Sequence, residues 1–287
     1  MSTYTRVSFR ISVKYIIMKK ILYLTDLYYE AKGREYFRED LFITGYLKDY
    51  FDLALCNPRN SESFEDDVDL VIFRNTGPVI EFPEVYESFV NRIKSKNICT
   101  FNDFNGRADM QGKQYLLDLT LENFPVIPTI DAIENLDLLP DCEVYVIKPK
   151  DGADSIGLEF LKKEELLGKQ LNNMLIQPAI DFKYEVSFYF INDKLEYALY
   201  APDKNKRWDL KRYDFTQKDK EFAEKFIRWN TIKNGIQRVD ACRTQDGELL
   251  LVELEDLNPY LSILDVDEQT REKFMNDLVS ALTRCIY

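Results

Sequence analysis

Residues 237–263, QRVDACRTQDGELLLVELEDLNPYLSI, contain two apolar-rich, strand-like runs that are joined by Asp246 and Gly247. An Asp-Gly pair between such runs is a strong hairpin signal, because a type I′ turn needs positive φ at both central residues. The first run, GIQRVDACR, and the second, ELLLVELE, each have the length of a typical strand. This stretch therefore predicts a β-hairpin.

The predicted turn determines which residues of the two strands face each other. If Asp246-Gly247 is the two-residue loop, Asp240 lies opposite Glu253 and Arg238 lies opposite Glu255. Side chains alternate between the two faces of a strand, so these four charged residues share one face. The other face is predicted to carry Val239, Ala241, Val252 and Leu254.

Three carboxylates on one face of a hairpin repel one another. Like charges that lie opposite each other destabilise a sheet unless something neutralises them, and a bound divalent cation would do so. The alternative is a solvated acidic face with one Arg–Glu ion pair. The hairpin alone leaves both interpretations open, and a one-residue change in the turn would alter the register.

The composition excludes several kinds of chemistry. The 287 residues carry a net charge of −12, which disfavours a nucleic acid as partner, and no uncharged stretch suits a membrane span. There is no histidine, so imidazole catalysis and His-ligated zinc are excluded. The five cysteines are scattered and form no CxxC pair, so we expect a reduced, cytoplasmic protein.

Residues 1–17 lack acidic side chains, as transit peptides do, but Met18 begins a strand-like run. We therefore expect residues 1–17 to be a disordered or upstream-start extension. Strand-like runs then alternate with helical segments up to residue 105, which predicts a doubly wound, Rossmann-like domain with a parallel sheet. Residues 25–26, 74–77 and 102–105 follow its strands, where such sheets bind ligands.

Lys148 ends a further strand-like run and precedes the small-residue segment DGADSIG at residues 151–157. Such a segment can turn several backbone N–H groups toward one anion, and the lysine adds positive charge. The alternative is a flexible hairpin with a surface lysine.

Another apolar run ends at Gln177-Pro178 and leads toward Glu185. Proline removes one backbone donor and directs the chain, which would leave backbone groups of Ala179 and Ile180 to meet a flat heterocycle. The alternative is an edge strand that leaves the sheet without any ligand.

The order of these segments resembles the ATP-grasp carboxylate–amine ligases of the glutathione synthetase-like type. The resemblance extends from about residue 102 to residue 263. It implies an α/β protein in which the doubly wound domain, residues 18–105, precedes a two-lobed α+β ATP-grasp fold, residues 106–182 and 183–287. The matching segments are Lys113, Lys148-Pro149, the 151–157 loop, Gln177-Pro178, Glu185, Arg238-Val239-Asp240 and Glu253-Leu254-Glu255.

The resemblance also implies an ATP site. Lys113 and Lys148 would contact the α- and β-phosphates or the adenine edge, and Glu185 would hold the ribose hydroxyls. The 151–157 loop, with Gly152, Ser155 and Gly157, would close over the β- and γ-phosphates. The adenine pocket would be lined by Gln177, Ala179 and Ile180.

In the same way, the resemblance implies one or two Mg²⁺ ions, or Mn²⁺, on Asp240 and Glu253. The third ligand is open between Glu255 and Asn258, because many members carry Glu-x-Asn where this chain has Glu-x-Glu and then Asn-Pro. That ending is similar to a branch that includes a cycloserine-forming ligase. Magnesium prefers hard oxygen ligands, which these side chains supply.

Arg238 would stabilise the transferring phosphoryl group. A basic segment with Lys204, Lys206 and Arg207 lies where relatives carry a residue that contacts phosphate or substrate, and a solvated basic loop is the alternative. Phosphoryl transfer requires mainly positioning and charge neutralisation, which need no histidine.

The expected function is that of an ATP-dependent ligase. It would activate a small-molecule or peptide carboxylate as an acyl phosphate and join it to an amine, with release of ADP and phosphate. A homodimer is compatible with the sequence. One alternative is a non-catalytic nucleotide-binding regulatory or scaffold protein on a degenerate ATP-grasp fold, although the retained carboxylates argue against it. Another alternative is an acidic interaction module that binds no nucleotide, but every motif above would then resemble the ATP-grasp ligases by coincidence.

Overall fold

A computed structural model describes residues 18–31, 33–151 and 157–287 of the chain. The predicted extension over residues 1–17 and the predicted loop residues Gly152 and Ser155 lie outside this part. All five cysteines are free thiols. Within the described ranges, no helix has both the length and the hydropathy that crossing a bilayer requires.

The N-terminal region forms the parallel sheet that the sequence predicts. Its elements are β1 Lys20–Leu24, β2 Glu30–Ala31, β3 Arg34–Glu35, α1 Phe37–Leu47, β4 Asp52–Cys56, β5 Leu70–Phe73, α2 Pro83–Lys96 and β6 Thr100–Phe101. The strand order is β4-β1-β5-β6 with parallel neighbours, and β2 and β3 form a separate small hairpin.

Strand β1 shows why this sheet is apolar throughout. Ile21 and Tyr23 pack into one core with α1, and Leu22 and Leu24 pack into another with α2. Because both faces of the sheet are covered, the strand reads as a continuous apolar run instead of an alternating one.

A second sheet has three antiparallel strands in the order β8-β7-β9. It belongs to the middle of the chain, whose elements are α3 Tyr115–Leu121, β7 Val144–Pro149, β8 Glu159–Lys162, α4 Lys163–Leu167 and β9 Met174–Pro178. A short 3₁₀ turn at Asp109–Gln111 precedes α3, and Gly112 follows it with φ +81°. Glycine adopts that conformation without strain, and the turn brings Lys113 to the entry of the helix.

The C-terminal region forms a five-stranded antiparallel sheet in the order β12-β11-β10-β13-β14. Its elements are β10 Phe182–Ile191, β11 Lys194–Ala201, β12 Lys211–Arg212, α5 Gln217–Asn230, β13 Ile236–Thr244, β14 Leu249–Glu255 and α6 Glu268–Ile286. Phe188 and Val239 pack with Phe226 of α5 on one face. Helix α6 joins the core that contains Tyr23 of β1 and Tyr197 of β11, so the first and third sheets share buried apolar contacts.

Candidate active site

The hairpin of β13 and β14 pairs as predicted at its charged end. Asp240 lies opposite Glu253, and Arg238 lies opposite Glu255. Side chains that lie opposite each other in a sheet share a face, so three carboxylates and one guanidinium converge. The predicted pairing is confirmed at this end.

The loop of the hairpin differs from the predicted two-residue turn, which was wrong. The N–H of Thr244 donates to the carbonyl of Glu248 at 2.9 Å, so residues 245–247 form a three-residue loop. Gly247 has φ +89° there, a conformation that suits glycine. A β-bulge between Asp240 and Ala241 then shifts the register by one residue and restores the predicted pairing.

The bulge also changes the direction of one side chain. We predicted Val252 on the apolar face with Leu254. In the structure Val252 is half-buried and lines two cavities that Glu253 also lines. The extra residue in β14 interrupts the alternation of faces, so two consecutive residues point toward the cavities. The prediction for Val252 was therefore wrong.

The carboxylates of Asp240, Glu253 and Glu255 form a compact group. One oxygen of each lies within 4.8 Å of the other two. The Arg238 guanidinium donates to Asp240 at 2.8 Å and to Glu255 at 2.5 Å, and the Ser187 hydroxyl donates to Asp240 at 2.6 Å. These hard oxygen donors fit a divalent cation, which would offset their mutual repulsion.

The electrostatics of this group also favour a cation. Burial raises the pKa of Glu255 to about 7, and the negative charges of Asp240 and Asp109 act in the same direction. The positive charges of Arg238 and Lys113 oppose that rise in the pKa. The two native cations therefore compensate the clustered negative charge only in part.

Lys113 and Lys148 lie together beside these carboxylates. The Lys113 ammonium contacts Glu253 and lies 3.9 Å from Asp109. Lys148 projects from β7, where burial, together with the nearby charge of Lys113, lowers its pKa to about 7. A bound anion would restore the charged form of Lys148, so this pair is suited to a polyanion.

A cavity of about 330 Å³, here named the lysine cavity, connects these groups. Its polar walls include Lys113, Lys148, Glu185 and Glu253. Its apolar walls are Pro149, Leu158, Phe160, Phe182 and Val252. The arrangement can hold a molecule that combines a polyanion with a flat apolar group.

Sequence reasoning missed Leu158 and Phe160 as lining residues. Both are large apolar side chains that are unusually exposed, Leu158 at 36% and Phe160 at 65%. Both border the lysine cavity. Phe160 lies in β8 and Leu158 directly precedes that strand, and their two-residue spacing suits side chains on one face. That spacing was the only signal in the sequence that could have identified them.

Gly157 is the last residue of the predicted loop, and the structure requires a glycine at this position for steric reasons. It has φ +75°, and a Cβ at this position would lie 2.9 Å from Pro149 Cγ. A larger residue would therefore collide with the strand that carries Lys148.

The residues predicted for the adenine pocket lie at the end of β9. Gln177 is buried, and its side-chain amide donates to the Thr129 hydroxyl at 2.8 Å. The N–H of Ala179 donates to the carbonyl of Val144 at 3.0 Å. We predicted that backbone groups of Ala179 would be available to a ligand, and for its N–H that was wrong. Ile180, Ala179 and Gln177 do not line the lysine cavity.

Glu185 lies on β10 and faces the basic segment. The Arg207 Nε donates to Glu185 at 3.2 Å, and both residues line the lysine cavity together with Lys204. Lys206 is exposed and does not line this cavity. Of the predicted basic residues, Arg207 and Lys204 are thus close to the site.

Asn258 lies beyond β14 and links two sheets. Its side-chain amide donates to the carbonyl of Arg74 at 3.2 Å and to the Thr76 hydroxyl at 3.0 Å. Both amide hydrogens are used, so its carbonyl oxygen is the atom that it can offer to a cation. Asn258 borders a cavity of about 130 Å³ together with Glu253 and Glu255.

This second cavity, here named the aromatic cavity, also adjoins Arg238. Its walls include four aromatic side chains that sequence reasoning did not identify, because they come from distant parts of the chain: Tyr29, Tyr36, Trp208 and Tyr260. The Arg34 guanidinium stacks on Trp208 and Tyr260, at 4.8 and 5.0 Å from their ring centroids.

Comparison with solved structures identifies the fold. A D-cycloserine synthetase superposes with a TM-score of 0.70 at 16% identity, covering 93% of this chain and 100% of that one. A D-alanine–D-alanine ligase from Bacillus anthracis in complex with ATP gives 0.68 at 12% identity, over 93% and 98%. An ATP-grasp ligase from Chryseobacterium gregarium, in complex with ADP and a leader and core peptide, gives 0.66 at 12%, over 93% and 97%.

No protein-family model and no curated protein matches the sequence. Sequence identities of this size carry no argument about substrates, but the superpositions extend over nearly the whole chain. This chain therefore has the ATP-grasp fold.

Proposed function

We propose that this protein is an ATP-dependent ligase that activates a carboxylate as an acyl phosphate and joins it to an amine. The observation that carries the proposal is the group formed by Asp240, Glu253 and Glu255, with oxygens within 4.8 Å of one another. This group adjoins the lysine cavity, in which Lys113 and Lys148 supply positive charge. Carboxylates and lysines that border the same cavity suit a metal-bound polyphosphate.

In this proposal the nucleotide occupies the lysine cavity. Lys113 and Lys148 bind its phosphates or the adenine edge, and Glu185 holds the ribose hydroxyls. The apolar side chains of Leu158 and Phe160 cover one side of the base, since both border the cavity. Gln177, Ala179 and Ile180 do not line the lysine cavity, so they would contact the adenine ring only where it extends beyond that cavity. The 151–157 loop would cover the phosphates.

Asp240 and Glu253 are the proposed ligands of magnesium, and either Glu255 or Asn258 completes the set. When bound, the ion would neutralise charge that develops on the phosphates. Arg238 orients Asp240 and Glu255 by donating to both, and its fixed charge stabilises the phosphoryl group during transfer.

The proposed reaction needs no nucleophile from the protein. An oxygen of the substrate carboxylate attacks the γ-phosphorus, and ADP leaves. The amine then attacks the acyl carbon, phosphate leaves, and the amine loses one proton. Each step requires that the reactants are held close together and away from water. A chain without histidine can meet that requirement.

ADP release with panels of carboxylates and amines tests this proposal. Small molecules and short peptides both belong in the panels, because a relative of the same fold is found with a leader and core peptide. We expect ADP formation that requires a carboxylate, an amine and Mg²⁺ together. Tight nucleotide binding that does not depend on Mg²⁺, without turnover on any panel, would favour a regulatory or scaffold protein instead.

A further inference from the structure

A small polar cavity lies at the carboxyl ends of β1, β4 and β5. Its volume is about 50 Å³, and its charged walls are Asp26, Arg59 and Glu81. In the order β4-β1-β5, strand β1 lies between β4 and β5, which are the next two strands of this sheet along the chain. Open parallel sheets bind ligands at such a switch point, outside the carboxyl ends of the strands.

The charged residues of this polar cavity do not pair with one another, and Arg59 and Glu81 are exposed to solvent. Asp26 accepts a hydrogen bond from the Asn57 amide at 2.8 Å. The Arg59 guanidinium stacks over the Phe82 ring at 5.2 Å. Within the described part of the chain, neither Arg59 nor Glu81 has an oppositely charged partner within 4.0 Å. Two acids and one guanidinium thus border one cavity, and the guanidinium pairs with neither acid.

The polar cavity adjoins the aromatic cavity next to the carboxylate group. Tyr29 and Gly77 line both cavities. A Cβ at Gly77 would lie 3.4 Å from the Tyr29 ring, so the glycine leaves space beside that ring. An elongated ligand that passes Tyr29 and Gly77 would extend from Asp26 to Arg238.

The volume of the polar cavity limits what it can hold. One water needs about 10–15 Å³ of such space, so about 50 Å³ accommodates roughly three to five waters. That is the size of an ammonium group together with a carboxylate, and it is too small for an aromatic ring. The charges on its walls match the same pair of groups, with two acids for the ammonium and one guanidinium for the carboxylate.

We propose that the polar cavity binds the α-ammonium and α-carboxylate of an amino acid whose side-chain carboxylate is the one that the enzyme activates. This inference rests on the proposed ligase function and specifies its substrate class. Asp26 and Glu81 bind the ammonium, and Arg59 binds the α-carboxylate. A head group held there keeps the α-amine away from Arg238 and Glu253, so only the distal carboxylate reaches the phosphate. The methylene chain passes Tyr29.

Calorimetric titration of the intact protein in the presence of Mg²⁺ and a non-hydrolysable ATP analogue tests the subsite. The probes are both enantiomers of aspartate, glutamate and 2-aminoadipate, compared with N-acetylglutamate, glutamate α-amide and glutarate. We expect at least one dicarboxylic amino acid to bind, and each blocked or truncated analogue to bind roughly tenfold more weakly or worse. Equal binding of glutarate and glutamate would overturn the proposal.

The variant Arg59→Gln separates this inference from the proposed reaction. With an amino acid substrate, we expect its KM to rise roughly 10- to 100-fold and kcat to stay within about twofold, because the lost contact binds the substrate and not the reacting atoms. Arg228→Gln, on the exposed surface of α5, is the matched control and should leave both constants unchanged.

The two proposals fail in different ways. If dicarboxylic amino acids bind and Arg59→Gln abolishes that binding, but no ADP forms, the ligase function fails and the subsite stands. If ADP forms with carboxylates that lack an α-ammonium, and Arg59→Gln has no effect on KM, the subsite is overturned and the ligase function stands.

Discussion

Two arginine–carboxylate clusters in this protein use the same residue types in different surroundings. In the first, Arg74 pairs with Glu39 at 3.2 Å, and the side chains are only 2% and 0% exposed. In the second, Arg238 pairs with Glu255 at 2.5 Å, and the side chains are 16% and 22% exposed. The first cluster is enclosed by protein, and the second borders cavities.

The partners of the two clusters explain their different roles. Glu39 accepts hydrogen bonds from the backbone N–H groups of Leu261 and Ile263, at 3.0 and 3.2 Å, and Arg74 donates to the carbonyl of Pro259 at 2.8 Å. These bonds fasten the N-terminal sheet to the segment after β14. An enclosed cluster of this kind supports the fold, whereas a cluster that borders a cavity can bind a ligand.

The largest expected effect is on stability, in the enclosed cluster. Arg74→Leu leaves the carboxylate of Glu39 buried without its cation, which typically costs about 3–5 kcal/mol. Urea unfolding should show a loss of that size. Arg238→Leu, in the partly exposed cluster, should lower the free energy of unfolding by less than Arg74→Leu does, because solvent reaches the carboxylates that lose their cation. Equal losses of unfolding free energy in the two variants would contradict the distinction between the two clusters.

The second-largest effect is expected on activity, in the cluster around Arg238. Glu253→Gln removes one proposed metal ligand, and ADP formation should fall roughly a thousand-fold, which corresponds to about 4 kcal/mol. The free energy of unfolding should change by less than about 1 kcal/mol, because the residue is partly exposed. Glu248→Gln, on the surface of the same hairpin, serves as the control and should retain full activity.

A smaller effect is expected from pH, through Lys148. Burial lowers its pKa to about 7 in the protein without nucleotide, and bound phosphates would raise it again. Above pH 7, nucleotide binding should therefore take up a proton, and affinity should fall by up to about tenfold per pH unit. Titration calorimetry in buffers of different ionisation enthalpy measures this uptake.

The variant Lys148→Met provides the control for the pH effect. It should bind nucleotide more weakly, and the proton uptake assigned to Lys148 should disappear. An unchanged proton uptake in this variant would show that another group titrates.

The smallest effect is expected at Arg207. Its contact with Glu185 is largely exposed, and pairs of this kind contribute about 0–1 kcal/mol. Arg207→Gln should therefore change ADP affinity by less than about fivefold. Glu185→Gln should weaken ADP binding more, because Glu185 is the proposed ribose contact. Equilibrium titration of both variants checks the order.

The charged pairs of the hairpin could be predicted from the sequence, although the argument was right only in part. The Asp-Gly signal located the turn, but the loop has three residues, and a bulge after Asp240 compensates for the extra one. Loop type and bulges depend on backbone strain and packing, which a pattern of residue types does not specify. Val252 was assigned to the wrong face for that reason.

The parallel N-terminal sheet was predictable because its strands are continuous apolar runs between helical segments. The roles of residues at its strand ends were not. Residues 74–77 were expected to bind substrate, but Arg74 is buried in hydrogen bonds and borders neither cavity, whereas Asn75, Thr76 and Gly77 each border the polar or the aromatic cavity. Tertiary packing decides which of these four neighbouring residues is accessible.

The aromatic residues that line the aromatic cavity could not be predicted from the sequence either. Tyr29, Tyr36, Trp208 and Tyr260 come from widely separated segments, and no spacing rule connects them. Their proximity follows from the packing of the C-terminal sheet and of the segment after β14 against the N-terminal sheet.

The central claim is that Asp240, Glu253 and Glu255 bind a metal–nucleotide complex. Titration of ADP into the wild-type protein and into Glu253→Gln, each with and without Mg²⁺, tests it most directly. We predict that Mg²⁺ strengthens ADP binding by about tenfold or more in the wild type, and that Glu253→Gln removes most of this gain. ADP affinity that is the same with and without Mg²⁺, and the same in both proteins, would contradict the claim.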